Sequence, residues 1–138
     1  MSCDHFTWPV RVYYEDTDAG GIVYYANYLR FMERARTEYL RALGVEQDEW
    51  VGTHGLQFVV RRLGVNYLQP ARFNDALVVS ARVQRVRRAS VEFDQNVVRE
   101  RDATVLVTAS VQVACVASDS GVPRPIPQTL IEAMQGDR

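Results

Sequence analysis

One segment of this chain has a helical repeat, and nearly everything after it repeats every two residues. Between about Ile22 and Leu43 the apolar and aromatic side chains recur at the three- and four-residue spacing of a helix face. These side chains are Tyr25, Tyr28, Met32, Ala35, Tyr39 and Leu43. Gly44 follows at the position where a helix end favours glycine. The spacing predicts one long helix of about 30 Å, around which the rest of the chain must fold.

The other segments predict strands. Phe6–Tyr14 is rich in β-prone residues, and four later segments alternate apolar with polar side chains. The later segments include Leu63–Tyr67, closed by Pro70, and the runs Leu77–Gln84, Ser90–Val97 and Val105–Cys115. Their connections are short, which favours antiparallel hairpins. The order strand, long helix, four strands therefore predicts an α+β fold in which an antiparallel sheet wraps around the helix.

Length and composition predict one domain over residues 1–138, with a proline-containing surface tail from about residue 118 and a helical turn within Thr129–Met134.

A net charge of −1 argues against a nucleic-acid partner. All 16 basic residues are arginine, so chemistry that requires a lysine is excluded. Two histidines and two cysteines make a zinc site improbable, and Cys115 is predicted to be a core thiol. With no visible signal peptide or membrane span, we expect a cytoplasmic protein.

The candidate chemistry lies just before the predicted helix. Asp16 and Asp18 precede the pair Gly20 and Gly21, and none of the common hydrolase or nucleotide-binding motifs is present. In one interpretation Asp18 only caps a turn or the helix. In the other, free N–H groups at the helix start stabilise a developing oxyanion while Asp18 supplies a base or nucleophile for acyl transfer. The spacing alone leaves both interpretations open.

The residues around this loop resemble a known family. The segments Tyr13–Leu29 (YYEDTDAGGIVYYANYL), Phe31–Glu38, Phe58–Arg62 and Tyr67–Arg72 together resemble the hotdog-fold acyl-CoA thioesterases. Within that family they most resemble the branch related to 4-hydroxybenzoyl-CoA thioesterase and found in tol-pal gene clusters. The resemblance implies a hotdog fold, a five-stranded antiparallel sheet around one long helix, and a homodimer or homotetramer.

The resemblance also implies roles for individual residues. Asp18 matches the catalytic carboxylate, the backbone N–H of Tyr25 matches the group that polarises the thioester carbonyl, and Gly20 and Gly21 match the turn that admits the acyl group. Many members of this branch have histidine where this chain has Tyr25, so a backbone role fits here and an imidazole role does not. We further expect Tyr24 to line the acyl pocket.

An arginine-rich hairpin is the second candidate site. Arg87 and Arg88, followed by Ser90, are either a solvated turn or a binding site for the phosphates of coenzyme A. The same patch would suit an acidic acyl carrier protein. The sequence thus predicts hydrolysis of an acyl-CoA to the free acid and coenzyme A without a cofactor or metal. An acyl-carrier-protein thioesterase and a non-catalytic acyl-thioester binding module are the alternatives.

Overall fold

The computed structural model describes residues 6–136, which form five strands and three α-helices. The strands are β1 (Phe6–Arg11), β2 (Leu56–Tyr67), β3 (Ala76–Val86), β4 (Ser90–Arg99) and β5 (Thr104–Ala117). The helices are α1 (Asn27–Ala42), α2 (Gln47–Thr53) and α3 (Gln128–Gly136). A single 3₁₀ turn, Tyr14–Asp16, follows β1.

The strands form one antiparallel sheet in the order β1-β3-β4-β5-β2. The pairs β3–β4 and β4–β5 are hairpins, as their short connections predicted. Strand β2 comes before β3 in the chain but pairs with β5, so the hairpin predicted from the short connection between β2 and β3 is wrong, and β1 and β2 are the two edges of the sheet. The predicted α+β class and the five-stranded antiparallel sheet around one long helix are confirmed.

The core lies between α1 and the inner face of the sheet. The predicted helix face is buried at Tyr28, Met32, Ala35 and Tyr39, and Phe31 joins it. Opposite them lie the inward rows of β3, β4 and β5, and Cys115 is fully buried there, as predicted. The apolar area removed from water along α1 is what holds the helix against the sheet.

The long helix is shorter at its start than the periodicity predicted. It begins at Asn27, not near Ile22. Ile22 and Val23 instead make antiparallel bridges to Arg72 and Thr17, and the Val23 N–H donates to the Ala71 carbonyl at 2.9 Å. These tertiary hydrogen bonds hold Ile22 and Val23 outside the helix, and Tyr25 and Ala26 form a turn before it, although the side-chain spacing is compatible with a helix throughout.

Strand β2 is longer than predicted, because a bulge interrupts its alternation. The pairing with β5 shifts between Val60 and Arg62, leaving one extra residue in β2. The shift places Leu63 on the same inward face as Val60. The run Val59–Arg62 therefore breaks the two-residue period in the sequence while the strand continues.

Gln95 is the buried polar residue of the described core, on the inward row of β4 between Phe93 and Val97. Its amide nitrogen donates to the carbonyls of Met32 on α1 at 3.0 Å and Ser80 on β3 at 3.1 Å. Its amide oxygen accepts a hydrogen bond from Arg36 at 2.9 Å. One side chain thus joins the helix to two strands, and each of its polar atoms is satisfied.

Candidate active site

Asp18 lies in a tight turn between β1 and α1. Its N–H donates to the Ile22 carbonyl at 2.9 Å, and its carbonyl accepts from the Gly21 N–H at 3.0 Å. One carboxylate oxygen, Oδ1, accepts the Gly20 N–H at 2.9 Å. Asp18 is exposed, and its second carboxylate oxygen makes no hydrogen bond within residues 6–136. The carboxylate is oriented by backbone, which suits a group that must meet a substrate in one direction.

The glycine pair is required by the geometry of that turn. Gly21 has φ of +80°, a left-handed conformation that side chains with a Cβ rarely adopt. A Cβ on Gly20 would lie 3.3 Å from the Asp18 carboxylate oxygen that its N–H binds. Both glycines therefore allow the backbone to close tightly around the carboxylate.

The start of α1 has unused hydrogen-bond donors beside this turn. Ala26 is the N-cap, and the carbonyls of Tyr24, Tyr25 and Ala26 accept the first N–H groups of the helix. The N–H groups of Tyr25 and Ala26 themselves have no acceptor among residues 6–136. Tyr25 thus precedes the helix by two residues, but its N–H is free at the positive end of a 16-residue helix.

Asp16 has a structural role in the loop. Its Oδ2 accepts the Tyr13 N–H at 2.8 Å. Its carbonyl accepts both the Tyr24 N–H and the Asn27 side-chain amide, each at 2.9 Å. Asn27, which the sequence did not single out, therefore attaches the first residue of α1 to the loop that carries Asp18.

An aromatic cluster adjoins the free N–H groups. The exposed rings of Tyr24 and Tyr25 lie 4.9 Å apart between centroids, and a hydrogen bond with Tyr25 raises the pKa of Tyr24. Tyr67, at the end of β2, lies 5.9 Å from Tyr25 and 5.7 Å from Tyr28. Burial raises the pKa of Tyr67 and of Tyr28, whose hydroxyl accepts the Ala71 N–H at 2.9 Å. Sequence reasoning missed Tyr67 as a site residue, because only the fold brings the end of β2 to the helix start.

The arginine hairpin lies at the other end of the sheet. Arg87, Arg88 and Ser90 follow β3, whose first residue, Ala76, pairs with Arg11 near the Asp18 loop. At roughly 3.3 Å per residue, the 11 residues of β3 separate the two sites by about 30 Å. Arg87 makes an exposed ion pair with Glu92 at 3.1 Å. Within one chain, Asp18, Gly20, Gly21, Tyr24 and Tyr25 come together, and the hairpin residues do not join them.

No group of three potential metal ligands lies close enough together to hold a metal ion within residues 6–136. In the same part of the chain, no helix is both long and apolar enough to cross a membrane.

The fold is that of the hotdog thioesterases, and comparison with known proteins agrees. The family model described as "Thioesterase superfamily" matches residues 20–106. The chain therefore belongs to the thioesterase superfamily.

Individual relatives within the superfamily are named as acyl-CoA thioesterases. The chain is 47% identical over 121 residues to the acyl-CoA thioesterase YbgC of Haemophilus influenzae, covering 88% of this chain and 86% of the relative. It is 43% identical over 131 residues to the acyl-CoA thioester hydrolase YbgC of Escherichia coli, covering 95% and 96% of the two chains.

Solved structures confirm the fold. A probable thioesterase from Bartonella henselae is 36% identical, with a TM-score of 0.77, over 89% of this chain and 98% of that one. Slr0204 of Synechocystis, a 1,4-dihydroxy-2-naphthoyl-CoA thioesterase, has a TM-score of 0.88 at 21% identity, covering 95% and 96% of the two chains. The second likeness shows the fold alone.

Proposed function

We propose that this protein hydrolyses an acyl-CoA thioester to the free acid and coenzyme A, with Asp18 as the base or nucleophile. The observation that carries the proposal is a backbone-oriented carboxylate beside two free N–H groups at the start of α1. The names of its relatives at 43% and 47% identity support acyl-CoA as the substrate class.

The chemistry follows from the charges in the reaction. The thioester carbonyl oxygen accepts a hydrogen bond from the Tyr25 N–H and gains negative charge as the carbon becomes tetrahedral. The helix end stabilises that charge, because its N–H groups carry partial positive charge. Asp18 either takes a proton from the attacking water or attacks the carbon itself, in which case water then cleaves the mixed anhydride. In both routes the C–S bond breaks, and the coenzyme leaves as a thiol once its sulfur is protonated.

The neighbouring residues would hold the acyl group. Gly20 and Gly21 would leave space for the substrate to approach the carboxylate, and the exposed ring of Tyr24 would line the acyl pocket. Tyr25 acts through its backbone. This explains how a tyrosine is compatible with activity at a position where related chains often have histidine.

The arginine hairpin would bind the phosphates of coenzyme A through Arg87 and Arg88, with Ser90 beside them. Because about 30 Å separates the hairpin from Asp18 in one chain, the hairpin of one copy would serve the Asp18 site of another. We therefore propose a homodimer or homotetramer, acting in the cytoplasm without a cofactor or metal.

An acyl-carrier-protein thioesterase is the second candidate, because an exposed arginine hairpin also suits an acidic carrier. A non-catalytic acyl-thioester binder is the third, since the Gly20 N–H gives Asp18 a structural partner.

The test is a panel of acyl-CoA and acyl-carrier-protein substrates, assayed by release of free thiol with the wild-type protein and with Asp18→Asn. We expect hydrolysis of at least one acyl-CoA that depends on Asp18. Faster hydrolysis of the carrier-protein esters would favour the second candidate. Binding without hydrolysis would favour the third.

A further inference from the structure

The segment between β2 and β3, residues 71–75, is bonded to both ends of the loop that carries Asp18. At the start of this loop, Val12 exchanges two backbone hydrogen bonds of 2.9 Å with the 71–75 segment. At the end of the loop, the Val23 N–H donates to the Ala71 carbonyl, also at 2.9 Å. The position of the Asp18 carboxylate therefore depends on the 71–75 segment.

The same segment is bonded to the start of α1. The hydroxyl of the buried Tyr28 accepts the Ala71 N–H at 2.9 Å, and Ala71 is itself fully buried. Tyr28 comes three residues after Tyr25, whose backbone N–H is the proposed oxyanion donor. The 71–75 segment thus contacts both the loop that carries the carboxylate and the helix that stabilises the oxyanion.

The conformation of the 71–75 segment depends on the Asp75 carboxylate. The Asp75 N–H donates to the Arg72 carbonyl at 3.1 Å, and Asp75 Oδ2 accepts the Arg72 N–H at 2.9 Å. Between these residues, Asn74 has φ of +72°, a left-handed conformation that is unfavourable for a side chain with a Cβ. Such a conformation persists only where the surrounding contacts hold it.

Arg99, at the end of β4, neutralises this carboxylate. One guanidinium nitrogen lies 3.7 Å from Asp75 Oδ2, and the two side chains are only 12% and 14% exposed. The Nε of Arg99 also donates to Asp102 at 3.2 Å, and Asp102 is 44% exposed. Asp102 accepts the Thr104 N–H in the connection between β4 and β5. One arginine thus joins two turns, and the Asp75 turn is the one bonded to the Asp18 loop.

We propose that Asp75 and Arg99 are positioning residues for the hydrolysis proposed above, on which this inference rests. Their ion pair keeps the 71–75 segment closed, and the segment keeps the Asp18 carboxylate at a fixed distance from the Tyr25 N–H. A carboxylate that is largely withdrawn from water and loses its cation turns toward solvent, and would release the backbone N–H that it accepts in the turn. A displacement of about 1 Å at the reacting groups is enough to lower a rate about 100-fold.

The test uses two variants that each remove one charge of the pair. Asp75→Asn keeps an oxygen that can accept the Arg72 N–H, and Arg99→Gln keeps a polar side chain of similar reach. With the acyl-CoA that the wild-type protein hydrolyses fastest, each should lower kcat roughly tenfold or more. KM should stay within about twofold, because the groups that bind the coenzyme are unchanged. The double variant should have a kcat no lower than the lower of the two single variants, because both substitutions break one pair.

The matched control is Asp102→Asn, which removes the other partner of the same arginine. It should leave kcat within about twofold of wild type, because it does not touch the 71–75 segment. A second measurement needs no substrate: the hydrogen-exchange rate of the Val23 N–H, followed by nuclear magnetic resonance. Asp75→Asn and Arg99→Gln should raise this rate roughly tenfold, and Asp102→Asn should not change it.

Failure of this inference differs from failure of the proposed function. If Asp18→Asn abolishes hydrolysis while the two pair variants keep the wild-type kcat, the positioning role is overturned alone. A loss in Asp102→Asn equal to that in Arg99→Gln also overturns it, as does an unchanged exchange rate at Val23. If one pair variant does not fold, the other decides by the same measurements. A folded wild-type protein that hydrolyses no acyl-CoA overturns the proposed function, and the positioning role with it.

Discussion

At the scale of single residues, the Asp18 carboxylate closes a turn through the Gly20 N–H and is also the proposed base or nucleophile. One carboxylate oxygen accepts the Gly20 N–H, and the other makes no hydrogen bond within residues 6–136. Asparagine can still accept the Gly20 N–H through its amide oxygen, but it has neither the negative charge nor the basicity of aspartate. The substitution therefore separates the structural role from the chemical one.

We expect Asp18→Asn to fold and to bind acyl-CoA, and to lose a factor of roughly 100 or more in kcat, the scale of a base or nucleophile. Steady-state kinetics with free-thiol detection measures this, and a thermal melt checks the fold. Tyr25→Phe is the control and should be nearly silent, because the proposed donor is the backbone N–H. A lowered melting temperature with unchanged turnover would assign Asp18 to the turn alone.

A substitution at Gly21 tests whether the same turn requires a left-handed backbone conformation. With φ of +80°, an alanine at this position would be forced into the left-handed region. We expect Gly21→Ala to lower the free energy of unfolding by about 1–2 kcal/mol. Gly52→Ala, in α2 with open space around it, should be neutral or stabilising by up to about 1 kcal/mol. Urea unfolding at one protein concentration measures the free energy of unfolding of both variants. Equal changes in the two would show that an alanine at position 21 does not strain the turn.

At the scale of elements, α1 is positioned by Gln95 as well as by apolar packing. The amide joins α1 to β3 and β4 and holds the guanidinium of Arg36. Apolar contact alone would allow the helix to slide along the sheet. Hydrogen bonds to particular carbonyls favour one position.

Gln95→Leu preserves most of the side-chain volume but leaves the guanidinium and the Ser80 carbonyl without this partner. We expect it to lower the free energy of unfolding by about 1–3 kcal/mol. Gln84→Leu, at an exposed position of β3, should stay within about 0.5 kcal/mol of wild type. Chemical denaturation followed by circular dichroism measures both. Similar values for the two variants would contradict a positioning role for Gln95.

The β3–β4 hairpin is the element that would bind the coenzyme. Replacing both Arg87 and Arg88 with alanine should raise KM much more than it lowers kcat, because binding is lost away from the reacting atoms. The difference in KM between this variant and wild type should shrink at higher salt, because salt screens the attraction between the arginines and the phosphates. Arg41→Ala removes an exposed, ion-paired arginine from α1 and is the matched control. An unchanged KM at low ionic strength would assign the hairpin to a solvated turn.

At the scale of the whole molecule, the sheet separates the two candidate sites and leaves β2 open. In the proposed homo-oligomer, the arginine hairpin of a second copy would serve the Asp18 site. We expect a mass of two or four times 15.7 kDa in dilute neutral buffer. Sedimentation velocity at micromolar concentration measures this. A mass near that of a single chain would contradict the assembly.

The architecture followed from the sequence, because periodicity is a local property. The apolar spacing of α1 and the two-residue alternation of β3, β4 and β5 each depend on which face of one element is buried. The inward row that includes Gln95 and the burial of Cys115 follow from the same rule. Asp18, Gly20 and Gly21 could also be selected from the sequence, since a carboxylate beside a glycine turn is contiguous in the chain.

Only the tertiary structure decided the rest, because it depends on contacts between distant residues. Bridges to Arg72 and Thr17 keep Ile22 and Val23 out of α1, and the bulge near Arg61 extends β2 past the break in its pattern. The fold brings Tyr67 to the helix start and carries Arg87 and Arg88 to the opposite end of the sheet. Local spacing could not predict these positions, since hydrogen bonds and packing between elements far apart in the chain outweigh side-chain periodicity wherever the two compete.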